Sequence, residues 1–305
     1  MKKFMKVCAI VAVIFVIAGA GLAFVAGSKV GSELVEKTVD QVSGGKLHLK
    51  LDWKDWGISV GDFFKNNVVV KQERFYSIDE NEQGVIFRKE YEVISGDIAL
   101  YPIEDEGSAL KLQIAGCSLV IEESEDEQIW LEAKNMEGLQ CFTEGETLTL
   151  LASRTNIGGL ITTSEIKLYL PKGYVFEKGV EMELGAGEIR GKGLAADEIR
   201  IAVGAGDVNL KDISVGHLAC EVGAGNIDCS GNIRQSAILQ CALGNITLKP
   251  EGRETDFDYE IDCAMGNIDL NGTEYAGFAK SKSIKNGAEK HIEASCSMGN
   301  IDINF

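Results

Sequence analysis

The chain has 305 residues, with 35 Gly and only 3 Pro, and its 30 Lys and Arg against 47 Asp and Glu give a net charge of −17. That length suits one elongated domain or two compact ones, and the glycine content suits a turn-rich β protein better than a helical bundle. Lys2, Lys3 and Lys6 stand in a first segment without acids, so the remaining 27 cations against 47 acids leave a body of −20. Such a body repels nucleic-acid phosphates and anionic headgroups, so no nucleic-acid partner is expected.

Residues 7–27, VCAIVAVIFVIAGAGLAFVAG, are uncharged and mostly apolar. A helix of that length is about 30 Å long and spans a bilayer core. The pattern predicts one N-terminal transmembrane helix, with residues 1–27 as cytoplasmic lysines and anchor. The run is longer than a usual signal-peptide core, although Val25-Ala26 before Gly27-Ser28 would serve as a cleavage site. The three lysines keep the N-terminus cytoplasmic and place the bulk of the chain outside, with the cytoplasmic membrane as partner.

Residues 28–89 form a short helix and an aromatic linker or cap. Val35, Val39 and Val42 share one helical face, Ser32 caps its start and Gly44-Gly45 ends it. KLHLKLDW then alternates as a strand. Trp53, Trp56, Phe63 and Phe64 follow, and are expected to pack beneath the first coil of what comes next, with contact at the membrane interface as the alternative.

From residue 90 to 305 the pattern is β throughout. YEVISGDIALYPI and LKLQIAGCSLVIE resemble later phrases, the second with Cys117 in a glycine slot. EIKLYLPKGYVF is a strand ended by Pro171 and Gly173. Six clean repeats then align on Gly187, Gly206, Gly225, Gly244, Gly266 and Gly299, at intervals of 19, 19, 19, 22 and 33. Small or aliphatic residues recur five and three positions before each glycine, aliphatics recur two after it, and Leu210, Cys229, Leu248, Leu270 and Ile303 stand four after the last five. Within each flank the spacing is two, as on a strand with one buried face. Across the glycine it is five, which is odd, so the chain must bend there. Each phrase is therefore a corner, and each corner belongs to one coil of about 19 residues in a stack. Glycine is expected to supply a positive φ at the bend.

Several residues invite chemical readings. The position after the glycine holds Glu188, Asp207, Asn226, Asn245, Asn267 and Asn300. The four asparagines read as a hydrogen-bonded ladder, with a cation stripe involving Asp228, Asp269 and Asp302 as the rival. Cys241, Cys263 and Cys296 share one inward position and read as a buried thiol column, against a metal site or a disulfide between neighbours. The three histidines, His48, His217 and His291, are scattered. The last interval carries an insertion with Lys280, Lys282, Lys285 and Lys290, a candidate basic loop for an anionic wall polymer. GAG at 185–187 lacks the rest of a dinucleotide fingerprint, no nucleophile-elbow or HExxH motif occurs, and no pair of acids is marked out for glycoside cleavage. No catalytic residue, cofactor or metal site is expected.

The stretch IKLYLPKGYVFEKGVEMELGAGEIRGKGLAADEIRIAVGAGDVNL resembles the β-strand-repeat domain of unknown function grouped with adhesins, itself similar to the heads of autotransporter adhesins. The resemblance rests on Leu170-Pro171 ending a strand, on the repeated Gly-Asp/Asn-Ile/Val coils, and on the closing strand Gly299–Ile303, and covers about residues 90–305. Asparagine in place of aspartate at four corners departs from the family pattern. The resemblance implies an all-β, right-handed parallel β-helix or solenoid outside the cell. It transfers no catalytic residue. The functional expectation is a non-catalytic, membrane-anchored extracellular module of the bacterial cell envelope, acting as an adhesin or as an envelope-binding or sensing element. A cell-wall polymer or envelope protein is the expected partner. A polysaccharide-active β-helix enzyme and an intracellular regulatory solenoid of inverted topology are the alternatives.

Overall fold

The computed structural model describes residues 49–52, 57–60, 85, 87–103, 107–153, 164–276 and 280–305. The anchor expected over 7–27, the helix expected over 31–45 and the aromatic residues Trp53, Trp56, Phe63 and Phe64 lie outside the described residues. Among the described residues no helix is long and apolar enough to cross a membrane. The chain forms two units, Met1–Gln83 and Gly84–Phe305. In the first, β1 (Leu49–Asp52) pairs antiparallel with β2 (Gly57–Val60).

The second unit is all-β among its described residues, apart from a single 3-10 turn at Glu254–Asp256. Its first strands are β3 (Ile94–Ile103), β4 (Ala109–Ala115), β5 (Cys117–Ser124), β6 (Ile129–Glu144), β7 (Thr147–Ser153), β8 (Glu165–Pro171) and β9 (Val175–Phe176). The repeats follow as β10 (Gly179–Leu184), β11 (Gly187–Lys192), β12 (Ala195–Val203), β13 (Asp207–Val222), β14 (Asn226–Cys241) and β15 (Asn245–Pro250). The chain ends with β16 (Phe257–Cys263), β17 (Asn267–Leu270), β18 (Thr273–Glu274), β19 (Lys280–Ile284), β20 (Lys290–Cys296) and β21 (Asn300–Ile303).

The repeats stack in parallel and in register. Met182 pairs with Ile201, Ile201 with Cys220 and Cys220 with Leu239, each 19 residues on. Beyond the corner, Ile189 pairs with Val208, Val208 with Ile227 and Ile227 with Ile246. All these side chains are buried, as are Leu184, Val203, Val222, Leu210 and Leu248 beside them. Period-two alternation on both flanks thus builds one continuous apolar core through the coils. The earlier phrase over 109–124 is a coil of the same stack: β4 pairs parallel with β10, and β5 with β11.

The corners differ from expectation in their reason for glycine. Only Gly187 of the six takes a positive φ, +114°. The others need glycine because the backbones touch. A Cβ on Gly206 would stand 2.6 Å from the Gly187 carbonyl oxygen, and one on Gly225, Gly244, Gly299 or Gly266 would overlap the oxygen of Gly206, Gly225, Gly244 or Gly299 in turn. Cys117 fills the same slot one coil before Gly187, where its own carbonyl makes the contact. Left-handed backbone falls six positions after the corner instead, as at Gly193 and Asp212, with φ +73° and +53°.

The coils are not stacked in chain order. β20 lies between β14 and β16, pairing Leu239 with Ala294 and Ala294 with Ile261. β21 likewise separates β15 from β17. The last coil is therefore inserted between the fourth and fifth repeats. The reason is in the side chains. β20 offers Ile292, Ala294 and Cys296 to the core, all buried. β19 would offer lysines there, since Lys282 pairs with Ile261 and Lys280 with Cys263. It stays outermost and antiparallel to β16, as lysine-bearing edge strands do. The interval from Gly244 to Gly266 is three residues longer than 19, and the 3-10 turn Glu254–Asp256 lies in it, carrying the chain past the level that the last coil later fills.

The other end is built alike. β7 and β8 stack parallel on β4 and β5. β6 then covers both, antiparallel, and β3 pairs antiparallel with β6. YEVISGDIALYPI, expected as an early coil, is thus an edge strand. The buried Gln140 ties the preceding segment down, since its amide donates to the Arg88 and Tyr91 carbonyls at 2.7 Å each and accepts from the Arg88 N–H at 2.8 Å.

The corner geometry makes a direct prediction. Gly225→Ala should lower stability by about 1–3 kcal/mol, because the stacked backbones must separate. Gly185→Ala should be near neutral, since the nearest atom to its Cβ is 3.7 Å away. Urea unfolding of the two variants checks this. Equal midpoints would show that the corners do not depend on backbone contact.

Candidate functional site

Because the core fixes the register, outward side chains at one offset from the corner form columns about 4.8 Å apart from coil to coil. The column after the glycine runs Glu188, Asp207, Asn226, Asn245, Asn300, Asn267. Its amides hydrogen-bond in series. Asn226 donates to the Asp207 carboxylate at 2.6 Å, Asn245 to the Asn226 oxygen at 2.7 Å and Asn300 to the Asn245 oxygen at 2.8 Å. The Asn267 amide oxygen, at the far end, is buried without a partner. Asp207 ends the ladder as a pure acceptor, while Glu188 turns to Arg190 at 2.5 Å.

The rival cation stripe is broken in space. Thr247 separates Asp228 from Asp302. Only Asp302 and Asp269 are neighbours. Burial, and then the charge of Asp269, raise the Asp302 carboxyl above its ordinary range. Asp269 accepts from the Gly272 N–H at 2.8 Å.

The four lysines do not form one loop. Lys280 and Lys282 lie exposed on β19. Lys285 sits 3.9 Å from the Asp258 carboxylate, and the Lys290 ammonium stands 5.2 Å from the centroid of the Phe257 ring.

The thiol column is buried, but its order is Cys241, Cys296, Cys263. Cys241 and Cys263 are thus not neighbours, and a bridge between them is excluded by the intervening strand. Cys241 donates to the Gly244 carbonyl at 3.0 Å. None of the seven described cysteines is in a disulfide. The Cys296 thiol is pushed up by its hydrogen bond with Cys241 and by burial, and Cys220 by its hydrogen bond with Cys229 and by burial. Burial pushes Cys141 up to about 12. The same hydrogen bond with Cys296 lowers the Cys241 thiol. Buried side by side, the three side chains of the column behave as small apolar packing.

The scattered histidines hid one convergence. Glu260 on β16 and His291 and Glu293 on β20 place their ligand atoms within 4.8 Å of one another. His291 and Glu293 are two apart on one strand, so they share its outward face, and Glu260 is the register partner of Glu293. Both glutamates stand six residues before their corner glycines, so aligning the repeats already sets them side by side.

Strands stacked in parallel, with an apolar core and outward polar columns, define a strand-repeat protein. The chain belongs to the Toastrack DUF4097 family, whose model matches residues 108–284. Among solved structures it is similar to a putative cell adhesion protein from Clostridium sporogenes, at 15% identity and a TM-score of 0.40, over 68% of this chain and 97% of that one. It is also similar to a putative adhesin from Bacteroides fragilis, at 13% identity and a TM-score of 0.33, over 70% of this chain and 97% of that one. No curated protein matches the chain.

Two measurements follow. At pH 8 no described cysteine should react with iodoacetamide in the folded protein, and all seven should react after denaturation; rapid native labelling of Cys241 or Cys296 would contradict a buried column. The second concerns Glu221, half-buried between Ala202 and Gln240. Burial pushes its carboxyl from 4.5 up to about 7. The folded chain therefore holds this proton more tightly than the unfolded chain. Its contribution to stability is full below about pH 4.5 and is lost as pH rises through about 7. Glu221→Gln should match wild type in thermal midpoint at pH 4 and exceed it at pH 8. A variant no more stable at pH 8 would refute the shift.

Proposed function

We propose that this protein is a non-catalytic, membrane-anchored module that displays a rigid, acidic strand-repeat body outside the cytoplasmic membrane, as an adhesin or an envelope-binding or sensing element. The observation that carries this reading is the unbroken apolar core: the core-facing side chains from Leu110 to Ile303 pack on one another, so the repeated chemistry lies in the outward columns. Such a body recognises partners by its surface. In this reading the coils form a right-handed β-solenoid, the hand that parallel crossover connections take in about 98% of cases. The anchor rests on the lysines at 2, 3 and 6 before the apolar run 7–27. The exposed Lys280 and Lys282 on the outermost strand β19 are cationic groups available to an anionic cell-wall polymer or envelope protein.

A second reading, a regulatory body on the cytoplasmic side, is favoured by seven described cysteines that form no disulfide. One experiment separates the two. Protease added to intact cells should degrade the strand-repeat body and spare an N-terminal epitope tag. A body that survives until lysis would overturn the external placement and favour the second reading.

A further inference from the structure

We propose that Glu260, His291 and Glu293 form a binding site for a divalent transition-metal ion of the zinc class. Stacking brings acids into direct vertical contact at Glu188 and Asp207, at Asp302 and Asp269, and at Glu293 and Glu260. The first pair is relieved by Arg190 and by the Asn226 amide. In the second, Asp269 takes the Gly272 N–H, and burial with its neighbour favours the protonated form of Asp302. The third pair has no such relief. Among the described residues neither Glu260 nor Glu293 has a hydrogen-bond or ion-pair partner, and the His291 ring has none either. What stands beside these two carboxylates is an imidazole, which adds a nitrogen donor.

The donor set selects the class of ion. One imidazole and two carboxylates suit zinc and its neighbours, whereas magnesium and calcium prefer oxygen alone. Three protein ligands leave a fourth position for water. Donors about 2.1 Å from a tetrahedral ion lie about 3.4 Å apart, so a set within 4.8 Å needs to contract by at most roughly 1.4 Å. Glu260 is exposed and the other two are half-buried, so the contraction is a matter of surface rotamers. Held there, the ion would join β16 to β20, the strand inserted out of chain order, and so fasten the terminal coils.

The test uses the full 305-residue chain, stripped with EDTA and titrated with zinc chloride by calorimetry. One ion should bind per chain, the thermal midpoint should rise with zinc concentration, and magnesium should not compete. His291→Ala and Glu260→Gln should each weaken binding at least tenfold, with unchanged circular dichroism. Should His291→Ala fail to fold, the surface variant Glu260→Gln decides alone. No uptake by wild type, or affinity unaltered by Glu260→Gln, would overturn the proposal; the latter would place the ion elsewhere.

Discussion

The rest of the structure depends on one contact: the carbonyl oxygen of each corner glycine occupies the space that a side chain on the next corner would need. The N–H after each corner then donates to that same oxygen, as Asn226 does to Gly206 and Asn245 to Gly225, at 2.9 and 3.0 Å. A slip of one residue would drive a Cβ into a carbonyl and turn every core-facing residue outward. Register is thereby fixed twice, by contact at the corner and by hydrophobic alternation on the flanks. Everything else that repeats, including the asparagine ladder and the thiol column, follows from that fixed register.

A stack of this kind solves its middle at once and must solve its ends separately. A parallel coil leaves unpaired backbone groups on each terminal edge, a template for unwanted association. Both ends use the same device. The chain leaves the stack, lays an antiparallel strand on the outside and returns to fill a level further in, directly beneath β6 at one end and beneath β16 and β17 at the other. β6, with β3 upon it, does this at one end. β18 and β19 do it at the other, over β17 and β16. Asn271 and Gly272 make the tight reversal into β18, with φ +50° and +87°.

The architecture of the middle was legible because periodicity reports it directly. The 19-residue interval, the buried columns and Cys117 as an early corner could all be read from spacing. The order of the last coils could not, because aligned repeats have the same columns whichever stacks on which. The cue was local: lysine at alternate positions of KSKSI disqualifies that strand from a core-flanked place, while HIEASC is fit for one. Spacing shows that a bend exists at the corner glycines but not whether torsion, as at Gly187, or backbone contact, as at Gly225, demands the glycine. His291 does not stand out along the chain, because the stack sets residues side by side by their offset from the corner.

In the stack a surface residue is never placed singly, because its neighbours in space are the residues at the same offset one coil away. An acid at a given offset therefore constrains the adjacent repeats. Glu221 stands between Ala202 and Gln240, and Asp228 between Asn209 and Thr247, neutral neighbours that avoid stacked charge. In Arg200 beside Glu181 the column places opposite charges next to each other. Where two acids do stack, the repeat either supplies a donor or retains a site with a net demand for positive charge. A protein of −17 overall can thus concentrate that demand at one chosen level of the stack. The core pays nothing for it, because outward positions can vary while the inward columns and the glycine contact stay as they are.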